Sequence, residues 1–321
     1  MSTKRPDPTW IDVNDARLPY WRVGRGPDLL FIHGWPLSSL TFRQVVPILA
    51  EQFTCHLIDL PGAGQSRWTD ATPISLTGHA QTVAAVIEQL GLEHVTLIAH
   101  DSGATIARLV AAEQPGRIAG LVLGNTEIPG HRPWQVRLYQ LLTALPLGAR
   151  IFAAFLSIGF LRRSSLAMGG SFADVHRFDR EVYETLLRPL VEDRRARDGQ
   201  LRLLRGFDWS VVDGLAHTHR QIVAPTLFIW GERDRFFPLA HARPMVGQFA
   251  GEARLEVVPG AKLMVHEEFP QRFAALTAEH VLSLGQAAVT VRRRRSVGGP
   301  DSEREPARDP RPARSPLESV G

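Results

Sequence analysis

Leu97-Ile98-Ala99-His100-Asp101-Ser102-Gly103-Ala104 is the stretch whose reading decides the fold. An apolar run enters a tight turn with an aspartate at the apex and small residues around it. A residue exposed on a strained strand-to-helix turn needs small neighbours two positions before and after it, where backbones crowd. Ala99 and Gly103 meet that need for Asp101, so the segment reads as a nucleophile elbow carrying a carboxylate. Placing Ser102 at the apex instead would put His100 and Ala104 at the flanks, where an imidazole clashes. The plain alternative is a buried strand ending at an Asp helix cap.

Outward from the elbow, short apolar runs alternate with amphipathic segments, the pattern of a parallel sheet covered by helices. Strands are expected over residues 18–23, 29–32, 55–58, 95–99 and 121–123, and again over 225–230 and 255–258. Helices are expected over 40–51, 76–90 and 102–113, the last bounded by Gln114-Pro115-Gly116. A closing helix should run from 270 to about 284. Residues 127–216 lack the strand rhythm and read as a helical cap inserted after the sixth strand, over the crevice where such sheets bind ligands. The predicted organisation is a flexible N-terminus over 1–8, a core from 9–126 and 217–285, the cap, and a disordered Arg/Pro-rich tail over 286–321.

Three more pieces fall in order around the elbow. Phe31-Ile32-His33-Gly34-Trp35-Pro36 is a strand entering a Gly turn, where the backbone N–H of Trp35, with that of Ser102, can stabilise developing charge. The Trp35 indole N–H is either a further donor or a packing group. Asp59-Leu60-Pro61-Gly62-Ala63-Gly64-Gln65-Ser66 lacks the spacing of a phosphate cradle and reads as structural. Ile229-Trp230-Gly231-Glu232-Arg233-Asp234 is a buried strand followed by a turn whose Asp234 has the chain order of a triad acid, nucleophile before acid before histidine.

With these motifs the chain resembles the α/β-hydrolase fold, and His33-Gly34-Trp35-Pro36 with Ala99-His100-Asp101-Ser102-Gly103 is similar to its haloalkane dehalogenase and epoxide hydrolase branch, over about residues 9–285. The resemblance implies a hydrolase of a small, mostly apolar electrophile: a haloalkane, an epoxide or an ester. It implies that Asp101 attacks carbon to leave an alkyl ester, which a histidine-activated water hydrolyses. Asp234 would be the acid, with Glu127, just after the preceding strand, the second choice. Epoxide opening needs a proton donor, and the cap tyrosines are Tyr139 and Tyr183. No cofactor or metal is implied.

The sequence departs from that branch at its last motif. Pro259-Gly260-Ala261-Lys262-Leu263-Met264-Val265-His266-Glu267-Glu268-Phe269-Pro270 places Leu263 at the usual base position, with His266 three residues later. Leucine cannot take a proton. Three readings stand open: His266 is the base if the loop winds differently, no histidine base exists and His266 packs, or the cap residue His131 substitutes. Without a base, attack needs no histidine but release of the ester does. The different-class alternative is a ligand-binding homologue that keeps the pocket without turnover.

Composition sets outer bounds. The chain has 321 residues, 44% of them hydrophobic, enough for a large core. Its net charge is +4, and +3 of that lies in residues 286–321, which hold eight arginines and five acidic residues. The core is therefore not expected to bind nucleic acid. Arg292-Arg293-Arg294-Arg295 reads as part of a solvated tail. A single cysteine, Cys55, excludes an intrachain disulfide and fits a cytoplasmic protein. Residues 141–161 are the most apolar stretch, but Pro146, Gly148 and Arg150 make them a helix pair rather than a membrane span.

Overall fold

The computed structural model describes residues 5–165 and 167–297. Nine strands form one sheet: β1 (Thr9–Val13), β2 (Ala16–Gly24), β3 (Asp28–Ile32), β4 (Thr54–Ile58), β5 (Arg67–Trp68), β6 (Val95–Ala99), β7 (Ile118–Gly124), β8 (Thr226–Gly231) and β9 (Ala253–Val258). Their order is β1-β2-β4-β3-β6-β7-β8-β9, with the two-residue β5 beside β2. Pairings from β4 through β9 are parallel, while β2 pairs antiparallel with β1, β4 and β5. The sequence reading missed β1 and β5, short edge strands without an apolar run.

The central strands are apolar on both sides because helices cover both faces. Alternate residues go to opposite layers, as the two-residue period of a strand requires. Leu30, Ile32, Leu97, Ala99, Leu121, Leu123, Phe228 and Trp230 enter one core. Leu29, Phe31, Ile98, Val122, Leu227 and Ile229 enter the other.

Helices fill the crossovers. The helix Leu76–Gln89 begins where the Ser75 hydroxyl accepts from Gly78 N at 3.0 Å. The elbow helix Ser102–Glu113 has the expected limits. The segment expected as one helix over 40–51 is instead a short 3₁₀ turn, Ser39–Phe42, and a short helix, Val46–Leu49, with Pro47 in its first turn. Between β7 and β8 the chain is helical, including Trp134–Ala144, Gly148–Ser157, Arg194–Arg205 and Trp209–His219. The apolar stretch at 141–161 is thus broken at Leu145–Leu147, and among the described residues no helix is long and apolar enough to cross a membrane.

The closing helix, Pro270–Val297, runs well past residue 284. Residues 286–297 hold Ala, Gln and Arg but neither Gly nor Pro, so helix propensity carries the backbone on where charge composition suggested disorder. Residues 1–4 and 298–321, part of the expected flexible ends, lie outside the described residues. At the expected flexible start, Arg5 donates to the Ser39 hydroxyl and carbonyl, each at 2.8 Å, and Pro6 O accepts from the Trp21 indole at 2.9 Å.

Two glycines are required by close approach. A methyl on Gly34 would lie 2.6 Å from Asp101 Cβ, and one on Gly103 would lie 2.4 Å from Ile32 O. Gly34→Ala should therefore destabilise the fold by about 2 kcal/mol through overpacking. Urea unfolding should show this as a lower midpoint, and a wild-type midpoint would contradict the crowding.

Candidate active site

The candidate residues come together at the carboxyl ends of the parallel strands. β3 leads to Trp35, β6 to Asp101, β7 to Asn125-Thr126-Glu127, β8 to Asp234 and β9 to Leu263. Open α/β sheets bind ligands at this edge.

Asp101 sits in a conformation that L-residues rarely adopt, φ 54° and ψ −137°. Its side chain makes no capping bond to the helix that follows. Instead Oδ2 accepts from Trp35 N at 3.0 Å, and Ser102 N also donates to the carboxylate. The backbone is clamped as well: Asp101 N donates to Asn125 O at 2.8 Å, and the Thr126 hydroxyl lies 2.9 Å from Asp101 O. Ser102 is the first residue of the helix, with its hydroxyl 3.0 Å from Trp35 N, so Asp101 and not Ser102 occupies the apex.

Burial lifts the Asp101 carboxyl well above the usual carboxylate range; Glu127 and, less strongly, Asp234 add to this, while the Ser102 and Trp35 amides oppose it. Glu127 is buried beside Thr105 and Thr126, whose hydroxyls lie 2.7 and 2.9 Å from its Oε2. Beneath it, the fully buried Arg108 donates to both hydroxyls and to Glu127 O. Burial lowers the Arg108 guanidinium to about 10, and Glu127 partly restores it.

Asp234 is held by neutral donors. Asn125 Nδ2 donates to Oδ2 at 2.7 Å, and the amides of Phe236 and Phe237 donate to Oδ1 at 2.7 and 3.2 Å. Burial raises its carboxyl to about 7. No imidazole is among these partners.

The structure does not bring His266 to either carboxylate. Its Nε2 lies 2.7 Å from the Thr41 hydroxyl, which donates to Glu267 Oε1, itself paired with Arg43 at 2.6 Å. The fully buried ring packs among His100, Phe42 and Phe273. Burial holds its imidazole neutral, well below the ordinary histidine range. The physical reason is that His266 lies in the short helix Val265–Glu268, where the remote Thr41 hydroxyl and the Phe42 and His100 rings receive it. His131 also lies elsewhere, with Nε2 donating to Phe236 O at 2.8 Å and its ring stacked on His241. His100, the residue before the apex, donates from Nε2 to Leu263 O at 2.8 Å.

A cavity of about 50 Å³ lies over Asp101, walled by Trp35, Glu127, Tyr139, Phe236 and Leu263 among others. Leu263 faces it at the place the motif reserves for a base. The segment before it packs on the Asp234 turn, with Arg233 N donating to Ala261 O at 2.8 Å. Tyr139 lines this cavity, whereas Tyr183 is buried under the Arg162 guanidinium, 3.8 Å above its ring. The Trp35 indole N–H is committed to Gln200 O of the inserted helix at 2.9 Å, so it packs rather than faces the cavity. The Gly-rich turn after β4 is structural: a methyl on Gly199 would lie 2.3 Å from Gly62 O, which is where that inserted helix docks. Asn125, Thr126 and Arg108 escaped the sequence reading; only the polar run directly after an apolar strand could have signalled the first two. Among the described residues no His, Cys, Asp and Glu group could hold a metal ion.

The chain is 27% identical over 275 residues to haloalkane dehalogenase 2 of Mycobacterium tuberculosis, covering 84% of this chain and 93% of that one. It is 30% identical over 245 residues to a pimeloyl-[acyl-carrier protein] methyl ester esterase of Stenotrophomonas maltophilia, covering 75% and 85%. The solved structure of the epoxide hydrolase CorEH superposes with a TM-score of 0.74 at 21% identity, covering 86% of this chain and 99% of that one. The model of the alpha/beta hydrolase fold matches residues 27–270. With the parallel sheet beneath the turn at Asp101, the chain belongs to the alpha/beta hydrolase fold family, and in sequence it is similar to haloalkane dehalogenase 2.

Proposed function

We propose that this alpha/beta hydrolase fold protein acts on a small, mostly apolar electrophile through attack by Asp101, and that release of the resulting ester is the slow step. The observation that carries the reading is the Asp101 carboxylate, held by backbone N–H groups at a strained apex under an apolar cavity. A carboxylate so fixed is aimed, and an apolar wall excludes the water that would weaken it as a nucleophile. An Asp101 oxygen forms a bond to carbon as the carbon–halogen bond breaks and halide leaves with the electron pair. With an epoxide, a carbon–oxygen bond breaks and the alkoxide takes a proton. Tyr139 supports the epoxide case, because it lines the cavity and its phenol is an acid from which an alkoxide can take a proton.

Hydrolysis of the ester requires water to lose a proton to a nearby base. Leu263 cannot take it, and His266 is committed to Thr41. The ester therefore outlives its formation. A second reading, a ligand-binding protein without covalent chemistry, is favoured by one observation: burial keeps Asp101 protonated further up the pH scale than an ordinary carboxyl.

Intact mass after exposure to an alkyl bromide should show wild-type protein heavier by one alkyl group, and Asp101→Asn unchanged. Released alcohol without an adduct would contradict slow release, and neither adduct nor alcohol would leave the binding reading. Because attack needs the ionised carboxylate, whose affinity for protons is raised, adduct formation should climb with pH through a midpoint above the ordinary carboxylate range. A rate flat from weakly acidic pH upward would contradict the burial of the reacting form. With an epoxide, Tyr139→Phe should slow adduct formation roughly 100-fold while leaving the alkyl bromide reaction within a few-fold of wild type; equal losses with both would assign Tyr139 to packing.

A further inference from the structure

The inserted helices carry an apolar face on the side away from the sheet. Helix Trp134–Ala144 turns Val136 and Tyr139 into the Asp101 cavity, and Gly148–Ser157 packs against it. Their outer sides are apolar where a helix facing water should be polar. Fourteen residues between 134 and 163 are exposed: ten are apolar, one is a serine and three are Arg137, Arg150 and Arg163. Leu141, Leu147 and Phe160 are 63%, 64% and 70% exposed. Spacing gathers these groups, since Trp134, Arg137 and Leu141 share one side of the first helix, and Arg150, Ile151 and Ala154 share one side of the second. Exposed apolar surface of this extent marks an interaction site.

The charge on this face selects its partner. Residues 128–173 contain five arginines and no Asp, Glu or Lys. Arg132 pairs with Asp213, and Arg162 and Arg163 share Asp179. Among the described residues no acid pairs with Arg137 or Arg150, so positive charge is in surplus beside the apolar groups. We propose that this face is a docking surface for an anionic lipid bilayer, lying on the membrane rather than spanning it. Apolar side chains enter the hydrocarbon edge while the arginines meet lipid phosphates, as in interfacial helices. A second copy of the chain fits the charge badly, because a twofold contact would set Arg137 and Arg150 against their own counterparts. An acidic protein would answer the charge, but a protein interface carries about ten hydrogen bonds. The exposed polar groups here are three arginines and one serine, too few for that and sufficient for a fluid surface of phosphates. The proposal does not rest on the role of Asp101.

The test is flotation of the full chain with vesicles of phosphatidylcholine alone and of phosphatidylcholine containing about one-third phosphatidylserine. Wild-type protein should float with the anionic vesicles, less of it as salt rises, and should remain largely unbound by the neutral ones. Arg137→Gln and Arg150→Gln should each weaken binding about fivefold, and Leu141→Ser and Phe160→Ser roughly tenfold each. All four side chains are exposed, so these variants should keep the wild-type urea midpoint. Failure to float with anionic vesicles would overturn the proposal. So would flotation that the four substitutions leave unchanged, which would place the attraction elsewhere, as in Arg292-Arg293-Arg294-Arg295. A dimer that Leu141→Ser dissociates, without flotation, would also overturn it and assign the face to a second copy.

Discussion

The backbone at Asp101 is the constraint on which the site depends. A non-glycine residue at φ 54° and ψ −137° costs of order 1–3 kcal/mol and persists only where its surroundings impose it. Here Asn125 O and Thr126 hold its backbone, Trp35 N holds its carboxylate, and Gly34 and Gly103 leave the space that this close packing needs. The sheet supplies the frame: β3, β6 and β7 are neighbours, so three turns meet at one point. The strain is offset by those contacts, and the result is a carboxylate that cannot turn away from the cavity.

Around that carboxylate the charge distribution is unusual. Asp101 and Glu127 line one cavity with Asp234 close behind, and the nearest imidazoles are turned to other partners. Burial is the first cause of the raised Asp101 and Asp234 carboxyls, and among the described residues no cation faces either of them. Arg108 lies under Glu127 and compensates one charge from below, through two threonine hydroxyls rather than a direct carboxylate pair. On the proposed reading, attack on carbon and activation of water fall on different groups, and Asp101 is placed for the first.

The parts of this arrangement legible in the sequence are those set by local spacing. Small residues flanking Asp101, the alternation in β6 and β7, and the limits of the elbow helix follow from neighbours in the chain. Leu263 is also visible there, as an aliphatic residue where the motif has a base. The direction of His266 is not, because it depends on Thr41, 225 residues away, and on a tilted ring contact with His100. Asn125 bonding Asp234 across 109 residues is equally nonlocal. The helix continuing to Val297 fails for the opposite reason: local propensity prevailed where composition was given the greater weight.

Leu263→Ala and similar truncations would only enlarge the cavity, whereas Leu263→His restores the missing chemical group beside the Asp234 turn. The most direct test of the account is the amount of bromide released per protein molecule from an alkyl bromide, in wild-type protein and in Leu263→His. The account predicts that the wild type stops near a single equivalent with its adduct retained, and that Leu263→His continues past it and loses the adduct. Sustained turnover by the wild type at the rate of the variant would contradict it.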